Sequence, residues 1–319
     1  MKAVLLGTGS TIGTLGVSAG VNGFTEYLEK CPGWESEYPD LKRVINDCRK
    51  DPIGEGEPGL DKIWTRIDYY SKFSKILGSD YGAAASIQLH KAILHAYSFK
   101  EKIQELLQSR CNYTLKDILD GLKPGDALIS FNWDTLAEQI AKQIGKNLIQ
   151  APYPYTGRDI RLIKPHGSIS WPRKRDDAFD IYFPGGSPLC EPVPKDIEPL
   201  VLGAVPMKSE LIREIQEKEY SKLYKLISFQ WRETVEVLSK ATEIIVAGYS
   251  FPREDAYGRF LLREAVLRRP KAMELPIICY YAKNCADYES AFQEVFSSEV
   301  NYEYRGEVKP CEKDAESLS

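Results

Sequence analysis

Seven short apolar runs punctuate the chain, at Ala3–Leu6, Ala127–Phe131, Leu148–Gln150, Ile160–Lys164, Glu243–Ala247, Pro276–Tyr281 and Val300–Tyr304. Helical spacing of apolar residues fills several of the gaps between them. Strands that alternate with helices are joined by crossovers and pair in parallel, so few architectures remain open. The pattern predicts an α/β fold built on a parallel sheet.

The longest gap carries Leu60, Ile63, Trp64 and Ile67, then Ile76 and Leu77, then Ile87, Ile93, Leu94, Tyr97 and Ile103, which predicts a helical insertion or cap over roughly residues 30–125. Its front edge, residues 31–59, holds Pro32, Pro39, Pro52, Pro58 and the run GEGEPG, and reads as an irregular loop. Ten of the nineteen prolines fall between Pro152 and Pro206, so residues 152–206 read as loops laid over the sheet. Helical spacing resumes from Lys208, and Arg253–Arg268 reads as a further helix. One domain is expected over residues 1–305, followed by a polar, frayed tail over 306–319.

With 42 Lys and Arg against 46 Asp and Glu, the net charge of −4 offers no basic field for polyanions. Nucleic acid is therefore disfavoured as a partner, the local run Arg173-Lys174-Arg175 notwithstanding. The seven cysteines are odd in number and nowhere form C-x-x-C, which predicts reduced thiols, no structural zinc and a cytoplasmic protein. The apolar run after Lys2 is too short for a secretory leader, and no stretch approaches the length of a membrane span.

In a parallel α/β sheet ligands gather beyond the carboxyl ends of strands, where helix N-termini present unpaired N–H groups. Four segments meet that condition: Gly7-Thr8-Gly9-Ser10-Thr11, Asn132-Trp133-Asp134, His166-Gly167-Ser168 and Gly248-Tyr249-Ser250 with Asp255 beyond it. The spacing of GTGSTIG is G-x-G-x-x-x-G, so the loop fits either a plain tight turn or a phosphate cradle with Ser10 and Thr11 as hydroxyl donors. Asn132 and Asp134 precede Thr135-x-x-Glu138, a capping-box pattern, and fit either helix capping or hydrogen bonding to an amide and a ribose. Asp255 fits a helix-dipole role, and Ser250 fits a contact to a nucleotide phosphate or ribose.

Of three histidines, His90 and His95 lie five apart in the insertion and point about 140° apart on a helix, which rules out a shared metal. His166 follows an apolar strand in the expected crevice, and fits either a structural role or that of a general base. No Gly-x-Ser-x-Gly elbow, H-E-x-x-H or Walker lysine loop is present.

GTGS, SFNWDTL, IKPHGSISW and IIVAGYSFPREDAYGR, in that order, resemble the motifs of the sirtuin family, in particular its prokaryotic sirtuin-like branch. The resemblance spans residues 1–305 apart from the insertion. It implies a Rossmann-like NAD-binding domain and chemistry that breaks the bond between nicotinamide and ribose. It places Gly7, Thr8, Gly9, Ser10 and Thr11 at the cofactor phosphates, and Asn132 and Asp134 at the nicotinamide and its ribose. His166, with Gly167 and Ser168, falls at the ribose hydroxyl or water, and Gly248, Tyr249, Ser250 and Asp255 at the adenosine side. The paired C-x-x-C zinc module and the G-I-P-x-F-R continuation of the first loop are missing, LGVSAGVNGF standing in its place, which weakens a protein-deacylase reading.

The expectation is therefore hydrolysis of NAD, as substrate, to nicotinamide and ADP-ribose, with His166, Asn132 and Asp134 carrying it and no metal. Zinc-free prokaryotic relatives include NAD-consuming effectors of anti-phage defence that work with a sensor or activator protein. The alternatives are a module that binds NAD or ADP-ribose without turnover, and an NAD-dependent deacylase. Self-association into a homo-oligomer is left open.

Overall fold

Successive side chains of a strand face opposite sides of its sheet, and the core of this chain divides accordingly. The computed structural model describes residues 1–17, 23–50, 57–77, 81–109, 111–150, 153, 155–173, 192–193, 198–202, 221–253, 255–270, 273–283, 285–296 and 300–310. The main strands are β1 (Lys2–Leu6), β2 (Ala127–Ser130), β3 (Leu148–Gln150), β4 (Ile160–Ile163), then β7 (Glu243–Ala247), β8 (Ile277–Tyr281) and β9 (Asn301–Tyr304). They form one seven-stranded sheet in the order β3-β4-β2-β1-β7-β8-β9. Every pairing in it is parallel. The chain runs outward from β1 on one side and returns to build the other, so the topological switch lies between β1 and β7. This is a Rossmann-like α/β fold, and all seven strands coincide with the predicted apolar runs to within a residue or so.

Val4, Leu6, Leu128, Ile245 and Cys279 face one layer, packed against α2 (Phe24–Glu29), α4 (Pro39–Arg49), α5 (Leu60–Leu77), α6 (Gly82–Ser98), α7 (Lys100–Gln108), α8 (Thr114–Asp120) and α9 (Leu136–Gln143). Ala3, Leu5, Ala127, Ile129, Ile244 and Val246 face the other, packed against α10 (Ser221–Lys240), α11 (Ala256–Leu267) and α12 (Cys285–Phe296). The two short helices α1 (Thr8–Leu15) and α3 (Trp34–Glu37) complete the described set. The helices of the insertion thus share one buried cluster with α2 and α9.

Five expectations are corrected. Within residues 31–59, α3 and α4 replace part of the expected loop: Pro39 sits in the first turn of α4, where its missing N–H costs nothing, and Leu41, Val44, Ile45 and Cys48 bury one stripe. Gly54, Glu55 and Gly56 of GEGEPG lie outside the described residues. In the proline-rich region, β5 (Gly167–Arg173) and β6 (Glu198–Val201) pair antiparallel as a separate ribbon. Its prolines are tolerated because a two-stranded ribbon has only edges. Lys174 and Arg175 of the basic run lie outside the described residues, as does the stretch 203–220 in which helix was expected from Lys208. The predicted helix at Arg253 begins instead at Ala256, with Asp255 as its N-cap.

The fourth correction concerns the tail. Residues Gly306–Pro310 are held: Ala282 N–H donates to Gly306 O at 2.9 Å, Lys309 N–H donates to Thr114 Oγ1 at 2.9 Å, and Val308 packs on the core beside Gly13. Residues 311–319 lie outside the described set. Among the described residues Cys31, Cys48 and Cys279 are not in disulfides, whereas Cys111 is disulfide-bonded, against the expectation of wholly reduced cysteines. No described helix is long and apolar enough to cross a membrane.

Candidate functional site

The four strand-end segments meet at the carboxyl edge of the sheet. The glycine loop is drawn against the end of β7: Gly7 N–H donates to Ala247 O at 3.0 Å and Gly9 N–H to Gly248 O at 2.9 Å. A Cβ on Gly248, whose φ is +65°, would stand 2.0 Å from Ser10 N, and one on Gly7 would stand 2.5 Å from Tyr249 Cα. These glycines are therefore required for two loops to touch. Ser10 N–H and Ser10 Oγ both donate to Gly7 O, at 2.8 and 2.7 Å. The amides of Gly9 and Ser10 are thus engaged within the protein, which is the packing role of such a loop more than the phosphate-cradling one.

Asn132 locks the second segment to the first. Its Nδ2 lies 3.0 Å from Gly7 O, 3.2 Å from Ser10 Oγ and 3.1 Å from Thr11 Oγ1. A carbonyl oxygen only accepts, so the amide nitrogen must face Gly7. Oδ1 points away and, among the described residues, is buried without a hydrogen-bond partner. Thr11 passes the interaction on, its hydroxyl donating to Asp134 Oδ2 at 2.8 Å. Asp134 Oδ1 accepts from Leu136 N–H at 3.0 Å.

The expected capping box does not form: Thr135 makes no side-chain cap at the start of α9. Glu138 turns inward instead and accepts from Lys164 Nζ at 2.6 Å, with both side chains essentially inaccessible. Lys164 Nζ also donates to Asp134 O at 2.6 Å. Burial pushes the carboxyls of Asp134 and Glu138 above their ordinary range, opposed in each case by the Lys164 ammonium. Two carboxyls share one cation here, and Glu138 Oε2 has no partner among the described residues.

His166 stands in a turn closed by the bond from Gly167 N–H to Lys164 O at 3.0 Å, with Pro165 preset for the corner and Gly167 at φ +78°. Its Nε2 lies 3.1 Å from Asp255 Oδ2, and Tyr249 O–H donates to the same oxygen at 2.7 Å. Burial, then the charge of Asp255, pushes the Tyr249 hydroxyl well up. Phe131 joins the two groups of residues, stacked on Tyr249 at 4.3 Å and edge-on to His166 at 5.1 Å. The ribbon buttresses them: Leu202 N–H donates to His166 O at 2.8 Å, and Ser168 Oγ and Ile169 N–H both donate to Trp133 O.

Among the predicted site residues, Gly7, Ser10, Thr11, Asn132 and Asp134 form one hydrogen-bonded network, Gly9 is bonded to Gly248, and His166, Tyr249 and Asp255 form another network. Ser168 is turned toward Trp133 and Ser170, and Ser250 is exposed at the rim. Thr8 is half-buried at the start of α1. Sequence reasoning missed Lys164, whose partner lies 26 residues away, and Phe131, read only as strand. Among the described residues no group of three His, Cys, Asp or Glu is placed to hold a metal ion. His90 is a core residue, its Nδ1 2.7 Å from Ser86 O and its ring against Trp64. The chain matches no family model and no curated protein.

Proposed function

We propose that the chain binds NAD at this edge and hydrolyses it to nicotinamide and ADP-ribose. The observation that carries the reading is Asn132: its amide nitrogen is fixed by the glycine loop while its buried oxygen keeps an open acceptor position. A buried acceptor without a partner costs about 1–3 kcal/mol, a cost that a ligand N–H or O–H would relieve. The imidazole of His166 supplies the base. In the reaction it takes a proton from water, the water oxygen bonds to the ribose carbon, and the carbon–nitrogen bond breaks with its electron pair going to the pyridinium. Nicotinamide leaves neutral, so no acid is needed. The Asp134 carboxyl, joined to Asn132 through Thr11, favours positive charge developing on the ribose when it is ionised.

Incubation with NAD is expected to release nicotinamide, and His166→Ala and Asn132→Ala are each expected to slow that release by about 10²-fold or more. Equal release by wild type and both variants would overturn the reading. On the same reading the protein acts in the cytoplasm as an anti-phage effector: cells carrying it are expected to lose NAD on phage challenge, and cells carrying His166→Ala to keep it.

A second reading, a module that holds NAD or ADP-ribose without turnover, is favoured by the internal bonds of Gly9 and Ser10 and by the burial of His166 and Asn132. Calorimetric binding of NAD with no nicotinamide formed would select it.

A further inference from the structure

We propose that Asp255 is a positioning residue that fixes the tautomer of His166, with the proton on Nε2 and the lone pair on Nδ1. Nε2 lies 3.1 Å from Asp255 Oδ2, and the two side chains are only 7% and 1% exposed. The carboxylate is itself held from two other directions. Gly258 N–H donates to Oδ1 at 3.1 Å and Tyr249 O–H donates to Oδ2 at 2.7 Å. An ionised carboxylate only accepts, so the imidazole nitrogen facing it is the one that donates. A neutral ring with its proton on Nε2 keeps its lone pair on Nδ1.

Capping of α11 explains Oδ1 alone. It does not explain why Oδ2 is shared between a tyrosine and a histidine that arrive from the ends of two different strands. The ring is braced independently by Phe131 and, through its backbone, by the bond from Leu202. Asp255 therefore governs where the proton sits more than where the ring sits.

The geometry gives Asp255→Asn a specific outcome. An amide has one oxygen, and Gly258 N–H claims it at the cap, which turns the NH₂ toward Tyr249 and His166. Nε2 then meets a donor and must accept, so the proton moves to Nδ1 and the tautomer inverts while the ring stays in place. The consequence for turnover rests on the NAD-hydrolase reading: the lone pair faces the wrong way, and nicotinamide release is expected to fall by about 10²–10⁴-fold.

The test is ¹⁵N NMR of the histidine rings in the full chain, above the pH at which the imidazole loses its charge. His166→Ala identifies the His166 signals among the three histidines. In wild type Nε2 is expected to be of the protonated, pyrrole type and Nδ1 of the pyridine type. In Asp255→Asn the two are expected to exchange, and in Tyr249→Phe, which keeps the carboxylate, to stay as in wild type. A wild-type ring protonated on Nδ1, or an even mixture of tautomers, overturns the proposal, and this spectrum decides even if Asp255→Asn does not fold. An Asp255→Asn spectrum identical to wild type overturns it as well. No substrate is needed, so the expected tautomer without NAD turnover defeats the hydrolase reading alone, and turnover with the wrong tautomer defeats this one alone.

Discussion

Asp134 sits at the end of a relay in which the Asn132 amide donates to the Thr11 hydroxyl and that hydroxyl donates onward to the carboxyl. Because burial raises its proton affinity in the folded chain, the folded state holds this proton more tightly than the unfolded one. The sign follows from linkage: stability is greatest below the ordinary carboxylate value and falls as pH rises toward the raised one, by about 1.4 kcal/mol for each unit of upward shift. Asp134→Asn, which cannot ionise, is expected to flatten that fall. Urea midpoints from about pH 4 to about pH 8 would measure it, and a slope unchanged from wild type would remove Asp134 as the source. At this scale sequence reasoning located the polar residues but not their partners. Asp255 could be placed near a helix N-terminus from its position, whereas its contact with His166, 89 positions earlier in the chain, leaves no local pattern.

The elements were legible where apolar periodicity is strong. The central strands β1, β2 and β7 carry apolar runs buried on both faces, and such runs read clearly, while the exposed edge strand β9 was marked by Tyr302 and Tyr304. The β5–β6 ribbon was hidden by Pro172 and Pro199, which break the pattern without breaking an edge pairing. The capping box misled for a different reason: Thr135-x-x-Glu138 has the local grammar of a helix start, but a buried Lys164 competes for Glu138 and wins. Lys164 ties β4 to α9, so Lys164→Met is expected to cost about 3–5 kcal/mol by leaving buried carboxyls without their cation. Adding Glu138→Leu to that variant is expected to restore most of the loss. Chemical denaturation of both would decide, and a harmless Lys164→Met would show the pair to be incidental.

Across the whole molecule, the described C-terminal residues return to the first helix. Val308 closes on Gly13, and Lys309 reaches the start of α8, so β9, α1 and α8 are joined by five residues of otherwise irregular chain. A chain ending at Arg305 is expected to be less stable than one ending at Pro310 by about 1–3 kcal/mol, the value of burying one aliphatic side chain with its backbone bonds. Equal urea midpoints for the two would mean that the contact contributes nothing. Polar composition alone made this stretch look frayed, because a single valine among charged neighbours has no periodicity to read.

The strand order has one more effect. His166 follows β4 and Asp255 follows β7, and in the sheet β2 and β1 lie between them. Three spacings of about 4.8 Å separate those two strands, about 14 Å in all, yet the side chains touch. The loops must therefore lean inward and arch over the middle of the sheet, with Phe131 propping the span from below. Whatever seats itself on the floor of that vault has to contend with its roof, so occupancy and proton placement answer to the same span.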